Sequence, residues 1–268
     1  MVPWAVKFIV LLNQVYRRKE RKMNYVVVLA GGKGQRFGSG KISKQFVELT
    51  GVPMIIYSLQ TAEKNKNIDE ICVVVGENEE KNVKEWIGKY KITKVKYFAK
   101  PGKERQQSVY NGLKALPAKA RDTVMIMTSV CPFVSQRTID NHYKMIKQYD
   151  ATITVVKATD AITFSNDGKR VNRTLQKKKL YIQQGPQLFR YGILMLGHKM
   201  YMEDEEYCKQ DVTEDSELVL NVGVECYMVM GDRFCIKVTY PEDLAIAESL
   251  HPLFVEQEEK YRDEQYNN

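Results

Sequence analysis

The sequence predicts a doubly wound α/β domain with a mostly parallel sheet, and three observations support this. Short apolar runs rich in β-branched residues alternate with helical patterns over about 230 residues. The first run, Tyr25 to Leu29, leads straight into a turn that contains Gly31, Gly32 and Gly34. A polar, turn-rich stretch at 159–183 then interrupts the alternation. It predicts a β-hairpin arm that protrudes from the domain.

The individual elements are predicted from local pattern. Continuous apolar runs bounded by turn residues predict buried strands at 25–29, 70–75, 95–98, 123–127, 151–156 and 224–230. Helical spacing predicts helices at 53–62, 79–90, 138–149, near 190–200, from 213 and at 241–250. Thr213 suits a helix N-cap and Pro241 suits a first helical turn. The segment at 184–189 returns the chain from the arm to the core.

One domain, at 23–255, is the simplest division of a 268-residue chain that is 44% apolar. Residues 1–22 are an N-terminal extension, in which an apolar run at 8–12 precedes a basic cluster. That run is too short to span a bilayer. Either this extension forms an amphipathic membrane-surface helix, or translation really starts at Met23 and the extension is not made. We favour the start at Met23. Residues 256–268 are polar and predict a frayed tail.

The charge and the cysteines exclude several classes of protein. The net charge is +8, but residues 1–22 carry +5 of it, so the remaining surface lacks the basic stripe of a nucleic-acid-binding protein. The five cysteines include no CxxC pair, and there are three histidines. A disulfide framework and a zinc site are therefore not expected, and no metal ligand is assigned. A reducing cytoplasm fits this cysteine usage.

The glycine turn after the first strand predicts a triphosphate-binding loop. Glycines there allow positive φ and a close approach of a ligand to backbone N–H groups. Lys33, Arg36 and Lys44 add three cations around the turn. The spacing matches neither the P-loop nor the dinucleotide fingerprint, and a plain tight turn is the alternative. The three glycines and three cations named above lie within fourteen residues, and together they favour the anion site.

A second candidate binding segment precedes the helix predicted after the third strand. Gly102, Arg105 and Ser108 lie where a loop runs into a helix N-terminus, which suits an anion or a base edge. A capped surface helix would explain Ser108 alone. The loop from Thr128 follows the fourth strand, at the edge where open α/β sheets bind ligands.

Four motifs in this order resemble the sugar-phosphate cytidylyltransferases, over roughly residues 24–250. They are the segments at 29–38 with Lys44-Gln45-Phe46, at 102–108, at 184–189 and at 236–244. Members of this family include the 2-C-methyl-D-erythritol 4-phosphate and ribitol 5-phosphate enzymes. The resemblance implies a Rossmann-like nucleotidyltransferase fold and CMP transfer from CTP to a sugar-alcohol phosphate. It also implies release of pyrophosphate and magnesium as cofactor.

The resemblance assigns roles to particular residues. It implies catalytic roles for Arg36, Lys44 and Lys237. It implies nucleotide-binding roles for Ala30, Gly31, Gly32, Gly34, Gly102, Arg105, Ser108 and Thr128. Thr239 would bind the sugar phosphate on the same strand as Lys237, together with Asp160. It further implies a homodimer in which the arm lends Asp160 to the partner's pocket.

Four positions depart from the family pattern. Thr128 replaces the aspartate that ligates magnesium, and Cys131 replaces an arginine. Gly185 and Cys235 replace a threonine and an asparagine. A hydroxyl is a poor ligand for a hard dication, and loss of one such group costs roughly 3–4 kcal/mol at a transition state. The chain is either a slower enzyme, which we favour, or an impaired CTP-binding homologue that partners a polymer-synthesis enzyme.

The acceptor is predicted from two local features. The Gly-Gly-Lys-Gly form of the loop and Phe234 look more like the ribitol branch, which serves teichoic-acid and capsule assembly. The methylerythritol enzymes usually carry a basic residue beyond the arm motif, whereas Thr163 and Phe164 stand here. The sequence therefore favours ribitol 5-phosphate, with 2-C-methyl-D-erythritol 4-phosphate next.

Overall fold

The structure, a computed structural model, describes residues 21–32, 43–204 and 211–266. A seven-stranded sheet lies at its centre. In chain order the strands of this sheet are β1 (Asn24–Leu29), β4 (Glu70–Val74), β5 (Val95–Ala99), β6 (Thr123–Thr128), β7 (Ala151–Lys157), β10 (Tyr181–Arg190) and β11 (Tyr227–Met230). Two-stranded ladders are formed by β2 (Glu48–Leu49) with β3 (Val52–Pro53) and by β8 (Thr163–Phe164) with β9 (Arg173–Thr174).

The sheet is mostly parallel. Its spatial order is β11-β7-β10-β6-β1-β4-β5. Only β10 runs against its neighbours, β6 and β7, while the other pairs are parallel. Parallel neighbours need crossover helices, and these cover both faces of the sheet.

The helices form the two outer layers. They are α1 (Met54–Lys64), α2 (Glu77–Lys89), α3 (Arg105–Ala115), α4 (Gln136–Met145), α5 (Tyr191–Glu203), α6 (Asp215–Asn221) and α7 (Pro241–Tyr266). Along β1, Val26 and Val28 face a core shared with α1, α2 and α4, whereas Tyr25 and Val27 face one shared with α3, α5 and α6. Apolar side chains on both faces of one strand explain its continuous apolar run, and the predicted fold class is confirmed.

The predicted arm is present between β7 and β10. Its two short strands, β8 and β9, pair in antiparallel register, with Thr163 opposite Thr174. Asp167 and Gly168 form the tip, where Gly168 has a φ of +67° and the Asp167 carboxylate accepts from the N–H of Arg170. Both strands of the arm are exposed to solvent.

Two expectations about the carboxyl-terminal part are wrong. Lys237 and Thr239 do not share a strand, because residues 231–239 run as irregular backbone. The polar stretch from 256 is not frayed, because α7 continues to Tyr266. Its Phe254 packs on Phe133 with ring centroids 5.0 Å apart, and this contact helps to hold the helix against the domain. Residues 1–20 of the predicted extension lie outside the described ranges.

Candidate active site

The predicted nucleotide-binding residues Ala30 and Thr128 lie next to each other where β1 and β6 end. Leu29 pairs with Thr128 in the sheet register. The Ser129 hydroxyl donates to the Leu29 carbonyl at 2.7 Å, and this ties the two strand ends together. Strand ends of this kind form the ligand-binding edge of open α/β sheets.

Gly31 brings the glycine turn against the loop that precedes α3. A Cβ at Gly31 would lie 2.3 Å from the Cβ of Pro101, so the two backbones approach more closely than any other residue would permit. Gly32 is exposed, and a Cβ there would meet nothing within 4 Å. The predicted anion ligands Gly34 and Arg36 lie outside the described residues, and their roles stay predictions.

Lys44 is placed over the end of β1 by its neighbour. Lys44, Gln45 and Phe46 form one turn of 3-10 helix. The buried Gln45 amide donates to the Ala30 carbonyl at 2.7 Å, while Phe46 packs on Trp86. A buried polar side chain with a backbone partner fixes the turn in one orientation. Sequence reasoning missed Gln45, although it stands inside the quoted Lys44-Gln45-Phe46 motif.

Ser108 shapes the predicted base-binding loop from within. Its hydroxyl accepts from the Gly102 N–H and donates to the Glu104 carbonyl, both at 3.0 Å. A Cβ at Gly102 would lie 2.4 Å from Gln107, so this turn also requires glycine. Because Ser108 has used its hydroxyl inside the loop, its direct contribution is to the position of the loop backbone.

Arg105 is held from behind the site. Its guanidinium lies 2.6 Å from the Asp215 carboxylate and 3.2 Å from that of Glu214. Asp215 is fully buried and also contacts His198 at 2.9 Å. Burial would raise the pKa of Asp215, but the adjacent Arg105 charge and the His198 contact hold that pKa well below its usual range. Both ion pairs use Nη2, while Nη1 is buried without a hydrogen-bond partner among the described residues, and the predicted contact of Arg105 with nucleotide stays a prediction.

Lys237 reaches the same edge on an irregular segment. The Val238 N–H donates to the Val130 carbonyl at 2.9 Å, so this segment lies along the loop that follows β6. Lys237 is exposed. Thr239 turns away into the start of α7, where its N–H donates to the Asp243 carboxylate at 2.7 Å. The structure therefore places Lys237 at the end of β6, whereas Thr239 does not lie on a strand at that edge.

Cys131 lies in the loop that follows β6, where its backbone N–H donates to the Thr128 carbonyl at 3.0 Å. Its thiol is buried and, within the described part of the chain, is not part of a disulfide. The neighbouring Cys235 thiol lowers the pKa of Cys131, burial raises it, and the positive charges of Lys237 and Lys44 lower it further. The negative charge of Glu214 raises the pKa of the same thiol.

Asp160 lies on the arm and not at the ends of β1 and β6. It is exposed at the base of the arm, and within the described residues it makes no hydrogen bond or ion pair with the lysines. Its predicted role in a partner's pocket stays a prediction. Glu214, which sequence reasoning treated only as part of a helix start, contacts Arg105 at 3.2 Å. The sequence predicted Thr213 as the helix N-cap, whereas the N-cap is Glu214, which forms a capping box with Glu217, and nothing in this pattern indicated a site residue.

The donor set at this edge does not suit magnesium, the ion that the resemblance implies. Thr128 offers a hydroxyl, and Cys131 and Cys235 offer soft thiols, whereas magnesium prefers carboxylates and phosphates. Glu214 already accepts from Gln187 at 2.6 Å. Across the described ranges, no three His, Cys, Asp or Glu side chains are grouped to hold a metal ion. We therefore derive no step through a metal.

The chain matches known proteins over most of its length. The family described as IspD, 2-C-methyl-D-erythritol 4-phosphate cytidylyltransferase, matches residues 24–251. A protein of that name from Clostridium botulinum is 36% identical over 227 residues, which cover 85% of this chain and 96% of that protein. One from Clostridioides difficile is 38% identical over 229 residues, covering 85% and 93%.

Solved structures agree with the sequence comparisons. The 4-diphosphocytidyl-2C-methyl-D-erythritol synthase of Anaerococcus prevotii superposes with a TM-score of 0.74 at 26% identity, covering 86% of this chain and 99% of that one. The Francisella tularensis enzyme of the same family gives 0.70 at 26% identity, covering 84% and 98%. The chain therefore belongs to the 2-C-methyl-D-erythritol 4-phosphate cytidylyltransferase family of enzymes.

Proposed function

We propose that this chain transfers CMP from CTP to a sugar-alcohol phosphate and releases pyrophosphate. The observation that carries the proposal is that Lys44 and Lys237 lie on segments bonded to the neighbouring ends of β1 and β6, through Gln45 to Ala30 and through Val238 to Val130. Two cations at the carboxyl edge of a parallel sheet suit a polyphosphate. Their origin in segments far apart in sequence indicates a built site.

The reaction needs little covalent chemistry from the protein. A phosphate oxygen of the acceptor forms a bond to the α-phosphorus of CTP, and the bond from that phosphorus to the bridging oxygen of pyrophosphate breaks. Negative charge grows on the α-phosphoryl oxygens and on the leaving group. Lys44 and Lys237 would stabilise that charge, with Arg36 as a third predicted cation. One such group contributes roughly 3–4 kcal/mol.

For the acceptor we propose 2-C-methyl-D-erythritol 4-phosphate first. The family description and the curated relatives support it by name. The ribitol 5-phosphate preference drawn from the sequence has no support in those comparisons. One observation still favours a test of it, since Phe164 stands in the arm where a basic residue was expected. Arg173 of the opposite strand lies 5.0 Å from that ring, so the arm does carry a cation at this position.

The central experiment measures pyrophosphate release from CTP with each acceptor in turn. Lys237→Met keeps the length of the side chain and removes its charge, and Lys81→Met, on the exposed face of α2, is the matched control. We expect Lys237→Met to lower kcat/KM by roughly 100-fold or more and Lys81→Met to leave it unchanged. Equal activity of the two variants would refute the assigned site.

A second experiment separates a slow enzyme from an impaired homologue. CTP binding is measured by calorimetry on wild type and on Thr128→Asp, alongside turnover. Turnover by the wild type supports the proposal. If the wild type binds CTP without turnover and Thr128→Asp gains it, the chain is instead a nucleotide-binding homologue that has lost catalysis.

A further inference from the structure

Lys237 is held at the candidate site by its backbone and not by its side chain. The side chain is exposed, and among the described residues it makes no hydrogen bond or ion pair. The residues at 231–239, which we call the Lys237 segment, form neither helix nor strand. The stem of a lysine side chain is flexible. The region that the ammonium group can reach is therefore determined by the contacts that fix this segment.

Gln184, on β10, bonds the Lys237 segment at two points. Its side-chain amide donates to the carbonyls of Asp232 and Cys235, each at 3.1 Å. A side-chain NH₂ group has two protons, so both are used. The orientation of the amide follows from these partners, because its oxygen could not accept from a carbonyl. One side chain thereby joins both ends of the turn at 232–235 to the sheet.

Gly231 lets the Lys237 segment approach the sheet closely. Its N–H donates to the Val155 carbonyl of β7 at 2.9 Å. A Cβ at Gly231 would lie 2.5 Å from Oε1 of Gln184 and 2.5 Å from Cγ2 of Thr154. The Thr154 side chain is stiff, and its hydroxyl donates to the Pro186 carbonyl at 2.6 Å. A larger residue at 231 would therefore push the segment away from Gln184.

The segment is also fixed on the far side of Lys237. Before it, the Asp232 carboxylate accepts from the N–H of Cys235 at 3.2 Å and closes the turn. After it, the N–H of the buried Val238 donates to the Val130 carbonyl at 2.9 Å. Lys237 thus lies between two anchored points of an irregular backbone.

We propose that Gln184 is a positioning residue, which binds the turn at 232–235 and so sets where the Lys237 ammonium group meets the triphosphate. The inference rests on the proposed function, in which Lys237 stabilises negative charge on the phosphates. Gln184 has no group left for the substrate, because its amide protons are used and its oxygen is buried. Its effect on the reaction therefore passes through Lys237. Misplacement of a reacting group by about 1 Å can cost roughly 100-fold in rate.

A double-mutant cycle separates positioning from support of the fold. Gln184→Met keeps the length of the side chain and removes both donated protons. We expect it to lower kcat/KM for CTP by about tenfold in protein that has Lys237, and to have almost no effect in Lys237→Met protein. A residue that only supports the fold would lower both equally. The cycle is also measured on the dissociation constant of CTP by calorimetry, which needs no turnover, and the same pattern is expected.

Gln183→Met is the matched control. Gln183 is the neighbour of Gln184 on β10, but its side chain bonds to Ser216 of α6, on the other face of the sheet. Whatever the size of its effect, that effect should be the same with and without Lys237. An additive cycle for Gln184→Met overturns the proposal. If that variant does not fold, the cycle of Gly231→Ala, which displaces the same contact, decides in its place.

Hydrogen exchange followed by mass spectrometry tests the anchor without substrate. Gln184→Met should speed exchange in peptides that cover 232–239, whereas Gln183→Met should leave it unchanged. Unchanged exchange in Gln184→Met overturns the proposal. Absence of wild-type turnover refutes the proposed function, while the cycle on CTP binding still decides the positioning role. If wild type does not bind CTP either, both fail.

Discussion

At the scale of single residues, the packing of Gly31 makes the first prediction. Its substitution by alanine would put a Cβ 2.3 Å from Pro101, and the backbone of both loops would have to shift. Gly32→Ala is the matched control, because that Cβ would meet nothing within 4 Å. We expect Gly31→Ala to lower the free energy of unfolding by about 1–3 kcal/mol and Gly32→Ala to change it by much less.

Chemical denaturation of the two variants measures this difference, and CTP titration shows its effect on the site. Gly31→Ala should also weaken CTP binding, since the turn and the loop before α3 shift together. Equal unfolding free energies for the two variants would mean that Gly31 does not hold the two loops in contact.

The residues predicted from sequence were those whose type is unusual in its place. Glycines in series after a strand and cations around them are rare without an anion, so the turn and Lys44 could be found from the pattern. Gln45 and Glu214 could not, because their importance comes from partners distant in sequence. Gln45 contacts Ala30, fifteen positions away, and Glu214 contacts Arg105. Such pairs appear only when the fold is known.

At the scale of elements, His142 joins helix α4 to strand β7. It is fully buried, and its two ring nitrogens lie 2.7 Å from the hydroxyls of Thr152 and Thr154. Thr154 donates its proton to the Pro186 carbonyl at 2.6 Å, so it accepts from the ring N–H at Nε2. The Thr152 hydroxyl lies 2.7 Å from Nδ1 and 3.3 Å from the Leu188 carbonyl, so its one proton goes to the nearer atom, Nδ1. The ring is therefore neutral, and burial lowers the pKa of His142 to about 3.

This histidine predicts a loss of stability in mild acid. The unfolded chain takes up a proton near pH 6.5 and the native chain does not, so stability is present above pH 6.5 and is lost as the pH falls towards 3. We expect wild type to lose about 2 kcal/mol between pH 7 and pH 5 relative to His142→Gln, which keeps a donor and an acceptor. Urea unfolding of both proteins at each pH measures this difference.

Glu258 on α7 serves as a control of opposite sign. Burial raises the pKa of its carboxyl to about 6, above the unfolded value, so its native form holds a proton that the unfolded chain releases. Relative to Glu258→Gln, wild type should lose stability as the pH rises through that range. If His142→Gln and wild type show parallel pH profiles of stability, the assignment of a neutral buried ring to His142 is wrong.

Helices and strands were predicted well where the apolar pattern of the sequence determines them, and less well where contacts with distant residues do. The strands β1, β4 and β6 are apolar on both faces, so length and flanking glycines identified them. The end of α7 was missed because its sequence is polar, although Phe254 and Tyr261 share one face and are buried. The Tyr261 hydroxyl donates to the Asp140 carboxylate at 2.8 Å, a contact that no local pattern indicates.

At the scale of the whole molecule, the arm projects from the domain and is exposed to solvent. Phe164 on the arm and Tyr181 and Ile182 at the start of β10 are exposed, with Ile182 at 49%. Such apolar exposure on a projecting hairpin suits contact with another copy of the chain. Within the described ranges, none of the helices is long and apolar enough to cross a membrane. The exposed apolar side chains of the arm support our proposal that two chains associate through their arms and that Asp160 serves the partner's site.

Complementation between two inactive chains tests this arrangement. Asp160→Asn and Lys237→Met are each expected to lower turnover strongly when alone. In a two-fold symmetric dimer that combines them, one site joins the intact Lys237 of one chain to the intact Asp160 of the other. Co-expression should therefore restore about a quarter of the wild-type activity, since half of the dimers are mixed and each has one intact site. Co-expression of two Asp160→Asn chains is the control and should restore nothing. Absence of restoration, with a dimer seen by light scattering, would place Asp160 in the site of its own chain or outside the site.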